Sequence, residues 1–186
     1  MSDTEDRLVP GRKCGDCTAC CVTLRIEEAA LKKYADVPCP NLRPEGGCGI
    51  YSSRPDVCRN WYCGWRLMEH LDDSWRPDRS EIILRLHAGA AGGLIPQPIG
   101  KASQVLTTER VLGLVGGCVE AGLPVYISVP TKPGRCHALV HLNEIFANAV
   151  ASRVFEIAKL EMLKTLERAY QVETDPIAPI DGGGLR

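Results

Sequence analysis

The sequence predicts an α+β fold: a cysteine-rich, metal-binding N-terminal unit of short helices and loops, packed on a small sheet with a long C-terminal helix. Three observations carry this expectation. Cysteines crowd into residues 14–63 between prolines and glycines, short β-branched segments follow, and the strongest periodic signal is an amphipathic helix near the end.

The elements follow in chain order. Residues 1–11 are expected to form a flexible N-terminus, 12–71 the cysteine-cluster unit, 72–172 the α+β remainder of the same domain, and 173–186 a disordered tail. Within the cluster unit, EEAALKKYA at 27–35 combines good helix formers with Glu28 and Lys32 four residues apart, which predicts about two helical turns. PCPNLRPEGGCG at 38–49 is rich in proline and glycine and must be loop. Ser53, Pro55 and Asp56 then read as a helix start, with VCRNWYCGWRLMEHL running on to residue 71. On an unbroken helix Cys58 and Cys63 stand about 140° apart around the axis. Either the helix breaks near Gly64 or the two thiols face different partners.

Beyond the cluster unit, EIILRLHA (81–88), PVYISVP (124–130) and RCHALVHL (135–142) read as strands, the second with Val125, Ile127 and Val129 on one side. TTERVLGLVGGCVEAG (107–122) places residues 111, 112, 115 and 119 on one helical face. The segment from Asn143 to Gln171 reads as one long helix. Asn143 is the expected cap, and Ile145, Phe146, Ala149, Val150, Val154, Ile157, Leu160 and Leu163 form a stripe of helical period.

Composition narrows the function classes. A chain of 186 residues can bury a core without cross-links. A formal charge of −1 argues against general affinity for nucleic acid or acidic membranes. No apolar run approaches a membrane span, and MSDTEDRLVPGRK lacks the apolar core of a signal peptide. A cytoplasmic location follows as an expectation, and reduced, clustered thiols there favour metal over disulfides.

The thiols are arranged as C-x2-C-x2-CC from Cys14 through Cys17, Cys20 and Cys21, followed by Cys39, Cys48, Cys58 and Cys63. A C-x2-C step lets two thiolates converge on one metal, because the turn between them also points backbone N–H groups at sulfur. Adjacent side chains such as Cys20 and Cys21 diverge, so they are expected either to reach two centres or to divide into one ligand and one packing residue. Eight thiolates match two closed four-coordinate zinc sites, or one four-iron cluster with four further thiols. Between residues 12 and 66 Lys and Arg outnumber Asp and Glu, which offsets thiolate charge. The same excess also suits a solvated basic surface.

CGDCTACC at 14–21 and GCGIYSSRPDVCRNW at 47–61 resemble the C-x2-C-x2-CC family of zinc- or iron-chelating cysteine-cluster proteins. Cys63 with Trp65, and WRPDRS at 75–80, resemble an extension carried by some members. The resemblance implies Cys14, Cys17, Cys20, Cys21, Cys39, Cys48 and Cys58 as metal ligands, with Cys63 the eighth. It also implies zinc or iron, including an iron–sulfur cluster, as the cofactor. One relative, a methylase of flagellin lysines, couples such a cluster to S-adenosylmethionine. Here the glycine-rich stretch GLVGGCVEAG at 113–122 lies inside a helical pattern rather than after a strand.

The leading expectation is therefore a metal-chelating protein with no assigned catalytic residue. An iron–sulfur protein with redox or S-adenosylmethionine-linked activity and a zinc-stabilised protein-interaction module are the alternatives. Tyr51, Trp61, Tyr62 and Trp65 are placed to form an apolar shell around the thiols or to pack as ordinary core. Arg54 and Arg59 are expected to pair with Asp56 or with sulfur. Cys136 beside His137 does not make a catalytic pair on a strand, where neighbours face opposite ways. Cys118 reads as a buried packing residue.

Overall fold

A computed structural model describes residues 7–87 and 92–180. Of these, residues 7–83 with 178–180 form one compact unit, and 84–87 with 92–177 form a second. The N-terminal unit includes α1 (Ala19–Thr23), the strands β1 (Ile26–Glu28) and β2 (Leu31–Lys33), and a 3-10 turn at Tyr51–Ser53. Three further short helices, α2 (Asp56–Arg59), α3 (Gly64–Leu67) and α4 (Pro77–Ser80), follow, with another 3-10 turn at Asp73–Trp75. With so little regular structure, side chains supply much of the ordering. Arg12 donates to the carbonyls of Trp65, Met68, Glu69 and Leu71 beyond the start of α3, and its guanidinium also lies over the Trp65 ring, 5.3 Å from its centroid. Trp65 lies in the single turn of α3 and Met68 caps it, where a cation is a favoured partner, while Glu69 and Leu71 lie beyond the helix.

Two expectations for this unit are corrected. Residues 27–35 form an antiparallel hairpin rather than a helix, pairing Ile26 with Lys33, Glu27 with Lys32 and Glu28 with Leu31. A strand places Leu31 and Lys33 together on the buried side, and the Lys33 ammonium there donates to the carbonyls of Val22, Leu24 and Tyr34. Two turns of weak helix propensity do not compete with that burial. The helix expected over 55–71 begins at Asp56 but stops at Arg59; Asn60–Cys63 is not helical, and α3 resumes at Gly64. The break thus precedes Gly64.

The second unit holds antiparallel β5 (Tyr126–Val129) and β6 (Ala138–His141), with Val129 opposite Ala138 and Tyr126 opposite His141. β3 (Ile82–Leu86) spans the division between the units and pairs with β4 (Leu94–Pro98), a strand the sequence did not announce among its prolines and glycines. Leu94 bridges in parallel to Val125, and its N–H donates to the Pro124 carbonyl at 2.9 Å. Val125, Ile127 and Val129 are fully buried, as their alternation predicts. A short helix α5 (Ala102–Val105) precedes α6 (Glu109–Glu120). The face of α6 buries Val111, Leu112, Val115 and Cys118, so Cys118 takes the place expected for Val119.

The long C-terminal helix is present but divided into α7 (Asn143–Ser152) and α8 (Phe155–Gln171) by Arg153, whose φ of 55° is left-handed. Asn143 does not cap it. Its Oδ1 accepts from the Val125 N–H and its Nδ2 donates to the Leu123 carbonyl, both at 2.9 Å, tying the helix start to β5. The left-handed residue resets the helical phase, so the expected stripe does not stay on the core. Phe146 and Ala149 are buried, whereas Val154, Ile157, Leu160 and Leu163 are exposed; α8 buries Met162, Thr165, Leu166 and Ala169 instead.

Residues 173–180, placed in the tail by their sequence, make specific contacts. Asp175 accepts from the Cys136 N–H, Ile177 donates to the Gly134 carbonyl, and Ile180 is buried with its N–H on the Tyr34 hydroxyl at 3.0 Å. The rest of that expected tail, 181–186, and most of the expected N-terminus lie outside the described residues. Among the described residues no helix is long and apolar enough to cross a membrane.

Candidate metal centre

All eight cysteines of the cluster lie in the N-terminal unit. Loops position most of them. The Cys17 N–H donates to the Cys14 carbonyl at 3.0 Å, closing the first C-x2-C turn. Arg76 holds that turn from outside, donating to the Cys14 carbonyl at 3.0 Å and pairing with the carboxylates of Asp16 and Asp78. Cys20 and Cys21 follow on α1. The Cys39 N–H donates to the Cys21 carbonyl at 2.9 Å, and a bridge from Leu42 to Cys48 folds the 39–49 loop back on itself. Here Gly47 (φ 77°) packs backbone to backbone on the first turn. A Cβ at Gly47 would stand 3.2 Å from the Gly15 carbonyl oxygen and 2.9 Å from Arg43 Nη2, which is why glycine occupies the position.

The thiols sort into two neighbourhoods. Cys20 feels Cys21 most strongly and then Cys14 and Cys17, and Cys63 feels the last two. Cys58 feels Cys21, Cys39 and Cys48. One quartet is thus Cys14, Cys17, Cys20 and Cys63; the other is Cys21, Cys39, Cys48 and Cys58. The two sets meet at the adjacent pair on α1, where Cys20 and Cys21 act on each other most strongly, whereas Cys58 and Cys63, on either side of the break between α2 and α3, fall in different sets.

Hydrogen bonds and burial set thiol acidity in opposite directions across the pair. The hydrogen bond it shares with Cys21, reinforced by burial, pushes the Cys20 thiol far up. Accepting that bond, with Lys33 and Arg54 nearby and against the opposing effect of burial, brings Cys21 down to about 7. Burial raises Cys17, Cys58 and Cys63, the last to about 11, although backbone N–H groups of Arg66 and Trp65 reach the Cys63 sulfur and those of Ala19 and Asp78 reach Cys17. Burial also lowers Lys33, against the pull of Cys39 and Cys21.

None of the ten cysteines is in a disulfide. Cys39 is buried and the other seven of the cluster are half-buried, whereas Cys136 is exposed. Among the described residues no three Cys, His, Asp or Glu side chains stand close enough together to hold an ion as they are. The thiols are gathered without forming a closed coordination sphere. The donor chemistry nevertheless fits a thiophilic metal. Each quartet offers four thiols, backbone N–H groups point at sulfur, and Arg66 Nη1 donates to Cys14 Sγ at 3.6 Å while its buried Nε has no partner.

Other sequence-marked residues divide. Tyr62 and Trp65 are buried in the unit that holds the thiols, Trp61 is half-buried and Tyr51 is exposed. Arg59 pairs with Asp56, whereas Arg54 lies over the Tyr51 ring at 4.2 Å and in reach of Cys14 and Cys21. Lys33 and Arg66 entered the sequence reading only through the basic excess of residues 12–66, and Arg76 only through WRPDRS; neither signal placed a particular side chain beside a thiol. The His137 Nδ1 lies 3.3 Å from Ser128 Oγ, while Cys136 Sγ approaches the Pro176 carbonyl at 3.8 Å, so the two face different partners. GLVGGCVEAG falls largely within α6. In the second unit, an open hollow of ≈ 450 Å³ between α7 and α8 is crossed by the Glu161–Arg168 ion pair and lined by no cysteine or histidine. Comparison of the chain with protein-family models, with curated proteins and with solved structures finds no match.

Proposed function

We propose that the N-terminal unit is a metal chelator with two four-thiolate centres, Cys14, Cys17, Cys20 and Cys63 holding one and Cys21, Cys39, Cys48 and Cys58 the other. The observation that supports this reading is the sorting of eight thiols into two sets of four. Four thiolates complete a zinc ion's coordination and leave no open position for substrate, so zinc would act there as a structural cross-link. Lys33, Arg54 and Arg66 offset thiolate charge, and the loops must contract locally to reach thiolate bond lengths of about 2.3 Å. This role suits the reducing cytoplasm, where the thiols remain free.

Elemental analysis of full-length protein purified anaerobically tests the reading. About two zinc ions per chain are expected. Cys17→Ser should lower the metal content and Cys118→Ser should leave it unchanged; absence of any thiol-bound metal refutes the proposal. A second reading is favoured by Arg66 on Cys14 and by the amides around Cys17 and Cys63, since such donors to sulfur stabilise and tune iron–sulfur clusters. Brown protein with broad absorption near ~400 nm selects that alternative.

A further inference from the structure

We propose that the two quartets fill together, metal in one ordering the ligands of the other. This rests on the two-centre reading above; two contacts connect the sets, and a third ties the second set's loop to the helix they share. Cys20 and Cys21 are neighbours on α1, one in each quartet, so a displacement of that short helix moves both sulfurs. The Cys39 N–H donates to the Cys21 carbonyl at 2.9 Å, coupling the second quartet's loop to the same helix. The turn before Cys48 lies against the turn between Cys14 and Cys17: Cβ atoms at Gly46 and Gly47 would meet the carbonyl oxygens of Asp16 and Gly15 at 3.3 and 3.2 Å.

Among the described residues no three ligands stand within reach of one ion, so a first metal would draw in loops that the contacts above link to both quartets. A second metal then meets ligands already placed and bears less of that entropic cost, which is positive coupling. Repulsion between two anionic centres opposes it. That repulsion is moderated by Arg54, in electrostatic reach of Cys14, Cys21 and Cys58, and by Lys33, in reach of Cys20, Cys21 and Cys39. The proposed coupling requires the ordering effect to exceed the repulsion that remains.

Native mass spectrometry of the reduced, full-length chain titrated with zinc alone tests the coupling. Independent quartets give a one-zinc share of about one half at half filling, whereas tenfold coupling reduces it to about one quarter. In Cys63→Ser the quartet of Cys21, Cys39, Cys48 and Cys58 keeps all its thiols, yet its zinc affinity should fall about tenfold. Two zinc ions bound with a one-zinc share of one half or more overturn the coupling and leave the two-centre reading intact. Unchanged affinity in Cys63→Ser does the same. Failure to bind zinc at all removes both. The wild-type titration decides the matter even if the variant does not fold.

Discussion

At the scale of single residues, the adjacent thiols of Cys20 and Cys21 have opposite acidities because one donates a hydrogen bond and the other accepts it. Acceptance, aided by Lys33 and Arg54, favours the Cys21 thiolate and brings its pKa to about 7. The sign follows directly: Cys21 is mainly thiolate above that value and mainly thiol below it, while Cys20 is shifted the other way. In metal-free, reduced protein, Cys21 should be alkylated by iodoacetamide with a rate that rises through pH 7 and levels off above it. Peptide mapping of a short labelling pulse measures this. Equal labelling of Cys20 and Cys21 would show that the bond between them does not control their reactivity. Spacing alone indicated that these neighbours diverge, but the sequence carried no sign of which one would hold the proton. The contact between the two thiols contributes most, and Lys33, placed by the β1–β2 hairpin, and Arg54 add to it.

At the scale of elements, legibility followed the source of stability. β5 was readable because Val125, Ile127 and Val129 alternate and all three are buried. The 27–35 segment was misread because its local helix preference is worth tenths of a kcal/mol per residue, less than the burial of Leu31 and Lys33 in a hairpin. The α7–α8 stripe was misread because a regular period presumes an unbroken helix, and Arg153 interrupts it. The consequence is measurable by thermal denaturation. Leu160→Ser, at an exposed site, should change stability by no more than about 0.5 kcal/mol, whereas Met162→Ala, at a fully buried one, should cost about 2–5 kcal/mol. A large loss for Leu160→Ser would mean that the exposed face is covered in solution.

At the scale of the whole molecule, two units with different sources of order share one chain. The second has a packed core that includes Val115, Ile127, Phe146, Met162 and Leu166. The first, over residues 14–63, has short elements and relies on arginine and lysine contacts to carbonyls and, on the reading proposed here, on metal. Chelation should therefore raise amide exchange across residues 14–63 while protection in α6, α7 and α8 persists. Hydrogen exchange by mass spectrometry before and after metal removal checks this; uniform loss of protection would point to a single cooperative unit instead.

The sequence by itself determined the α+β class, the buried alternation of β5 and the existence of a thiol cluster, because composition, period and cysteine spacing are local properties of the chain. Only the tertiary structure decided which thiol neighbours which, that Cys58 and Cys63 part company, and that Lys33, Arg66 and Arg76 stand beside sulfur. Those relations arise from contacts across tens of residues, where loop packing and the partners available to buried charges override local preference.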